Sequence, residues 1–305
     1  SDVCSSDLYN KKVYISVAVY TLIVGLSFMF LKIALESADP IDLLAYRFSA
    51  AFIGLFIAYG FRWIKVEFSK ERMIKIIPIS LFYPLGFFSL QAFALQYISS
   101  AEGGILLAAS PIFTLILATY FLKERTTIFQ KFSILISVIG VMYIAINKGI
   151  NLEFNNLRGT VLMLLAALST SSYSVMARKM RKDFSHLEIS SIMILIGFIA
   201  FNVLSVGKHI TNGTLSDFFV PLSNLSFIIS IMYLGVLSSL GTSIMNNYIL
   251  SKIEASKMGV FANLSTIITT IAGAVFLKET IVYYHIIGSV LIIGGVLGVH
   301  FSDKK

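Results

Sequence analysis

The chain has 305 residues, of which 57% are hydrophobic and only 13% charged, with a mean hydropathy of +0.85. A water-facing fold carries roughly a quarter of its residues charged, so a soluble enzyme, a disordered chain and a nucleic-acid module are excluded, and the net charge of +8 reads as a membrane-topology signal rather than a polyanion footprint. A single cysteine, Cys4, and four scattered histidines leave no disulfide framework and no cysteine-based metal site, so neither metal nor cofactor is expected.

Residues 1–12 read as a cytoplasmic tail, and the polar stretch Ser1 to Leu8, which starts without Met, as a processed or non-native end. A hydrocarbon core about 30 Å thick needs ~20 apolar residues per helix. Runs of that size recur near Val13–Leu35, Ile41–Phe61, Ile74–Leu95, Ala101–Leu122, Ile128–Ile146, Gly159–Ala177, Leu187–Val206, Leu225–Leu250, Ser256–Phe276 and Ile281–Phe301. Neither period-2 alternation nor hairpin turn pairs occur, so the expected fold is an all-α membrane protein of ten transmembrane helices. With the N-terminus inside, eighteen Lys and Arg fall in inner segments and four (Lys148, Arg158, Lys208 and Lys278) in outer ones, while Lys32 and Arg47 lie within the first two spans. That bias places both termini in the cytoplasm and the chain in the plasma membrane.

An offset of 155 residues aligns Leu85–Val141 with Leu240–Val296 without a gap; Phe121-Leu122-Lys123-Glu124 matches Phe276-Leu277-Lys278-Glu279, and Gly86, Gly104 and Gly140 match Gly241, Gly259 and Gly295. Each half then holds five spans. Because five is odd, the second half enters from the opposite side, which gives inverted repeats over 13–146 and 159–301 joined by an external linker, 147–158. Inverted repeats are a recurring plan of secondary transporters, whose halves rock about a site near the midplane.

Around the first of these four-residue blocks, Ile98-Ser99-Ser100-Ala101, Leu106-Leu107-Ala108-Ala109-Ser110-Pro111-Ile112-Phe113-Thr114, Gln130 and Gly140-Val141 resemble the fourth and fifth helices of EamA-type transporters of the drug/metabolite transporter superfamily. Arg158-Gly159, Leu164-Leu165-Ala166-Ala167-Leu168 and Tyr173-Ser174-Val175 are similar to that family's sixth helix, and Arg47-Phe48 to its second. The resemblance covers nearly the whole chain. It implies ten helices in two inverted repeats, cytoplasmic termini, and transport of small metabolites such as amino acids, often outward. The sequence departs from the pattern at Thr266, Ser133 and Gly25-Leu26-Ser27-Phe28.

Polar side chains in mid-span mark either a cavity or a helix contact. Gln91 and Asn246 are related by the offset, with Asn247 beside the second; as amides they donate and accept, and either bind a substrate's polar groups or join helices. Ser169, Ser172 and Tyr173 share one helical face, and the register of the first spans sets Ser27-Phe28 opposite Ser172-Tyr173. Tyr83, Phe87 and Phe88 add rings. Ser110-Pro111 interrupts the fourth span, freeing a carbonyl for a cavity or merely kinking the helix for packing. Asn263 is the polar candidate in the ninth span. Arg47 is expected to pair with Glu36, Asp39 or Asp42, or to hold an anionic substrate; Lys32 is expected to snorkel outward, and Glu102 to sit solvated at a helix start. No acid occupies a span centre, which favours facilitated diffusion or exchange over proton coupling. The substrate-binding set is therefore Gln91, Asn246, Asn247, Tyr173, Ser110, Asn263, Ser172 and Tyr83, with Arg47 and Pro111 in structural roles and no catalytic residue. The partners expected are a small-molecule substrate and the lipid bilayer, without nucleic acid and with a homodimer left open. A lipid-linked flippase or accessory subunit, and less readily a membrane-embedded lipid-modifying enzyme, stand as alternatives.

Overall fold

The computed structural model describes residues 2–61, 70–121, 127–148, 154–180, 184–250 and 255–302, and among them there are helices and no strands. In order these are α1 (Asp2–Leu35), α2 (Pro40–Gly60), α3 (Lys70–Ser80), α4 (Phe87–Ala94), α5 (Ser100–Leu107), α6 (Ser110–Phe121), α7 (Ile128–Lys148), α8 (Phe154–Met180), α9 (His186–Asn212), α10 (Leu225–Met232), α11 (Thr242–Leu250), α12 (Ala255–Phe276) and α13 (Tyr283–Ser302). Wide turns, Leu81–Gly86 and Tyr233–Gly241, join α3 to α4 and α10 to α11. Seven helices or helix pairs are long and apolar enough to cross a membrane; Ile128–Ile144, Leu264–Phe276 and Tyr283–Gly295 are shorter apolar helices.

The helices start and stop where backbone donors find partners, since no water is present in hydrocarbon to satisfy them. Asp39 caps α2 by accepting from Ile41 and Asp42 N–H, and Ser185 caps α9 in a capping box with Glu188. At α5, Ser99 accepts from Glu102 N–H (3.1 Å), while the carboxylate of Glu279 accepts from Ser100 N–H (2.7 Å), Ser100 Oγ (2.9 Å) and Ala101 N–H (3.0 Å). Glu279 can reach because Lys278, in the left-handed region at φ 54°, turns the chain back after α12; Glu279 N–H then bonds Gly273 O at 3.0 Å. The second of the matching blocks is thus a helix cap made from the other half of the chain. Glu102, expected in solvent, is instead 1% exposed and accepts from Thr160 Oγ1 at 3.4 Å. The α8 helix begins upstream of Thr160 and covers it.

Equivalent helices of the two halves touch each other. On α7 and α13, Gly140 lies against Gly288 and Leu291, and Gly295 against Ser133 and Ser137; Ser137 Oγ donates to Ile292 O at 3.0 Å. Partner numbers fall as residue numbers rise, so the two helices run antiparallel. On α2 and α9 the same holds. Asp42 meets Ser205 and His209, Ser49 meets Asn202, and Phe52 stacks on Phe198 at 4.5 Å. Contacts also join α1 to α12 and α6 to α8. Gly103, Gly104 and Gly295 permit close approach of their neighbours, whereas Gly294 faces open space.

At one end of the α2–α9 pair, Asp42 accepts from Ser205 Oγ (2.5 Å) and pairs with Lys208 (3.0 Å) and His209 Nε2 (3.0 Å), while Asp39 also pairs with Lys208. At the opposite end of α9, Glu188 pairs with Arg72. Lys32 donates to Leu95 O (2.5 Å) and Ile98 O (2.8 Å), carbonyls of the turn that follows α4.

Replacing Glu279 with Ala removes three acceptor contacts from the start of α5 and is expected to lower stability by about 1–2 kcal/mol, read as a lower midpoint in thermal or denaturant unfolding of the purified protein. Glu279→Gln should lose less. An unchanged midpoint for both would refute the cap.

Candidate transport cavity

The two wide turns coincide under the repeat: shifting Leu81–Gly86 by 155 positions lands within Tyr233–Gly241. The first breaks its membrane helix, whereas the second stays helical and is only widened, Thr242 N–H reaching back five residues to Leu237 O. In the first, Tyr83 is extended (φ −145°, ψ 118°), and Ser169 Oγ donates to Phe82 O at 2.8 Å. In the second, Ser239 Oγ donates to Leu234 O at 2.9 Å and Thr242 Oγ1 to Ser238 O at 2.7 Å. Gly86 and Gly241 are the matched glycines in these turns. A Cβ on Gly86 would sit 2.6 Å from Ser169 Oγ and 2.8 Å from Leu81 O, so only glycine lets α8 approach there.

Between the turns lies a cavity with an empty volume of about 350 Å³, including the part open to solvent. Phe48 of α2, Tyr83 and Pro84 of the first turn and Phe88 of α4 wall one part. Tyr173 of α8, Ser190, Met193 and Ile194 of α9, Ser239 of the second turn and Ser243 of α11 wall the rest. Tyr83 stacks on Tyr173 (5.0 Å) and lies 5.1 Å from Phe88, and Ser243 donates to Ser190. The lining is aromatic with a few hydroxyls, and no acid is part of it among the described residues.

Arg47 stands one layer behind this wall. It is 2% exposed, with Nε donating to Ser239 Oγ (3.0 Å), a terminal nitrogen to Ser238 Oγ (3.4 Å), and its guanidinium 4.1 Å from the centre of the Phe88 ring. This differs from the expected pairing with Glu36, Asp39 or Asp42. Asp39 and Asp42 are engaged with Lys208 and His209 at the helix end, so the neighbours nearest in sequence are spent on another contact. Gly235 sets the approach: a Cβ there would lie 2.6 Å from Arg47 O and from Ala50 Cβ.

Of the residues singled out in the sequence, Tyr83, Phe88 and Tyr173 line the cavity. Gln91, one turn beyond Phe88 on α4, is 4% exposed and is not part of the lining. Ser172 donates to Leu168 O (2.8 Å). Ser110 Oγ donates to Leu107 O (2.6 Å), the carbonyl that Pro111 leaves without a helical donor, and Ser110 O accepts from Ser171 Oγ (2.8 Å). The break at Pro111 is therefore filled by protein hydroxyls. Phe28 is a ring of the main core. Asn246, Asn247 and Asn263 lie on α11 and α12, and their side chains fall outside the described residues. Sequence reasoning did not reach Phe48, Pro84, Ser190, Met193, Ile194, Ser239 or Ser243 as cavity residues. Ser238 and Ser239 stand just before the aligned stretch, opposite Tyr83 and Pro84, so extending the repeat by two positions would have found them.

A chain of apolar helices in two matching halves, each with one irregular helix segment beside a cavity walled by both, has the build of a membrane transporter. The profile of the EamA-like transporter family matches residues 11–146 and 157–301, and the chain belongs to that family. It is 47% identical over 292 residues to the uncharacterized transporter YcxC of Bacillus subtilis (strain 168), covering 96% of this chain and 94% of that one. To an uncharacterized transporter of Archaeoglobus fulgidus it is 25% identical over 302 residues, covering 96% and 99%. A protein of known crystal structure, 16% identical and covering 96% of this chain and 98% of its own, superposes with a TM-score of 0.63 and shares the fold.

Gly235→Ala forces α2 away from the second turn and is expected to destabilise by about 1–3 kcal/mol. Gly294→Ala, which meets nothing within 4 Å, should leave the unfolding midpoint unchanged. Equal effects of the two would mean that Gly235 does not set the approach of α2.

Proposed function

We propose that the protein is an alternating-access carrier in which ten membrane spans form two inverted five-helix repeats, 13–146 and 159–301, with the substrate held between them. The observation that carries this reading is the pair of repeat-related irregular helix segments, Leu81–Gly86 and Tyr233–Gly241, at one cavity lined from both halves. A break in a membrane helix is tolerated where it is buried in protein or lines a cavity. Transporters use such breaks to offer side chains and backbone to a substrate at the repeat interface. The antiparallel pairing of α2 with α9 and of α7 with α13 supports inversion, because helices related by an axis in the membrane plane must run oppositely. The excess of Lys and Arg on one side supports cytoplasmic termini in the plasma membrane. The substrate is a small metabolite, an amino acid or related amphipathic compound, and the physiological direction is outward.

Counterflow in proteoliposomes tests the carrier. Vesicles loaded with a panel of amino acids, amines, nucleosides and sugar phosphates should accumulate at least one labelled member, and Tyr173→Ala and Ser243→Leu should reduce its uptake by about tenfold or more while eluting as folded protein. No exchange of any compound by the folded wild type would refute the reading. Orientation is checked separately: a reporter fused to Lys305 should be active only in the cytoplasm, and an external signal would overturn the topology.

A further inference from the structure

Resting on the carrier reading, we propose that Arg47 is the anion anchor of the site and that the substrate carries a carboxylate on an apolar or aromatic body. A buried guanidinium in a membrane protein is costly unless an opposite charge meets it. Here no carboxylate among the described residues does so. Two serine hydroxyls and the face of Phe88 are its partners, and one of its terminal nitrogens, Nη1, has no hydrogen bond. Those contacts are weak holders for a charge whose planar fork matches a carboxylate with two parallel bonds. Two of the three, Ser239 and Phe88, are also cavity walls, so the cation is separated from the empty space only by the side chains on which it rests.

The surroundings fix the sign. Among the described residues, the titratable side chains of the cavity are the phenols of Tyr83 and Tyr173. The acid one turn away on α2, Asp42, is occupied by Ser205, Lys208 and His209. A cationic substrate would meet an uncompensated positive charge, while an anion would complete a pair. The stack of Tyr83 on Tyr173, with Phe88 and Phe48 beside it, receives the apolar body.

The two halves are not equivalent at this point. The caps Asp39 and Ser185 lie 146 positions apart, as do the stacked rings Phe52 and Phe198. The same offset sets Met193, another wall residue, opposite Arg47. One half thus supplies a cation and the other a thioether, which orients a substrate having a single charged end.

Binding to the purified, full-length protein tests this without interference from leak across a bilayer. Calorimetric titration would compare benzoate, phenylacetate and 3-phenylpropionate with their primary amides and with phenethylamine. The expected result is a preference of about tenfold or more for at least one carboxylate over its amide, reduced to within about twofold in Arg47→Gln and partly kept in Arg47→Lys. Persistence of the preference in Arg47→Gln, equal or tighter binding of the amides or the amine by wild type, or no binding of any carboxylate would each overturn the anchor. Retention of amide affinity by Arg47→Gln shows that the variant is folded. Should counterflow succeed with amines or nucleosides while no carboxylate binds, the carrier stands and the anchor falls; failure of counterflow across the whole panel removes the carrier itself.

Discussion

A backbone amide inside hydrocarbon has no water to turn to, and that condition decides where this chain can bend. Where Pro111 removes a donor, the hydroxyl of Ser110 takes the stranded carbonyl. Where the helix opens at Leu81–Gly86, Ser169 reaches across from α8, and where it widens at Tyr233–Gly241, Ser239 and Thr242 fold back on their own turn. At the start of α5 the donors are met by a serine and by a glutamate from the far half of the chain. The irregular points are therefore specified by hydroxyl and carboxylate side chains, and the cavity exists because two such points face each other.

Equivalent helices of the matching stretches meet in pairs, with Phe52 against Phe198 in one pair and Ser137 against Ile292 in the other. Charge does not follow the match. Arg47 faces the second turn through Ser238 and Ser239, whereas its counterpart Met193 offers sulfur. In the proposed carrier, a duplicated scaffold opens to either side of the membrane while its substrate is held by unlike groups.

Much of the helical layout was legible because burial in lipid imposes long apolar runs that sequence displays directly: among the described residues, seven of the expected runs coincide with helices or helix pairs long and apolar enough to cross a membrane, and the other three with shorter apolar helices. The glycine pair Gly86/Gly241 also marked the turns, since a repeated glycine signals a backbone that must come close to something. Partners were not legible. Arg47 was expected on nearby acids, but Asp42 is claimed by Lys208 and His209, which are far away in sequence and adjacent in space. Glu102 looked solvated because it opens a helix, and only the placement of α8 buries it. The matched block ending in Glu279 was visible as a repeat, while its role as a cap depends on a contact spanning 179 positions.

The seam between α7 and α13 has a mechanical corollary. Gly140 and Gly295 bring the two backbones together so closely that an added Cβ at Gly140 would lie 2.9 Å from Leu291 Cβ and 3.0 Å from Gly288 O. Helices in such contact cannot slide past one another without collision. In the carrier proposed above, relative motion of the halves is a rotation about this seam, and displacement grows with distance from it. Among the described residues no wall of the cavity comes from α7 or α13, so in that carrier the pair acts as a fulcrum and the aromatic lining rides on the lever arms.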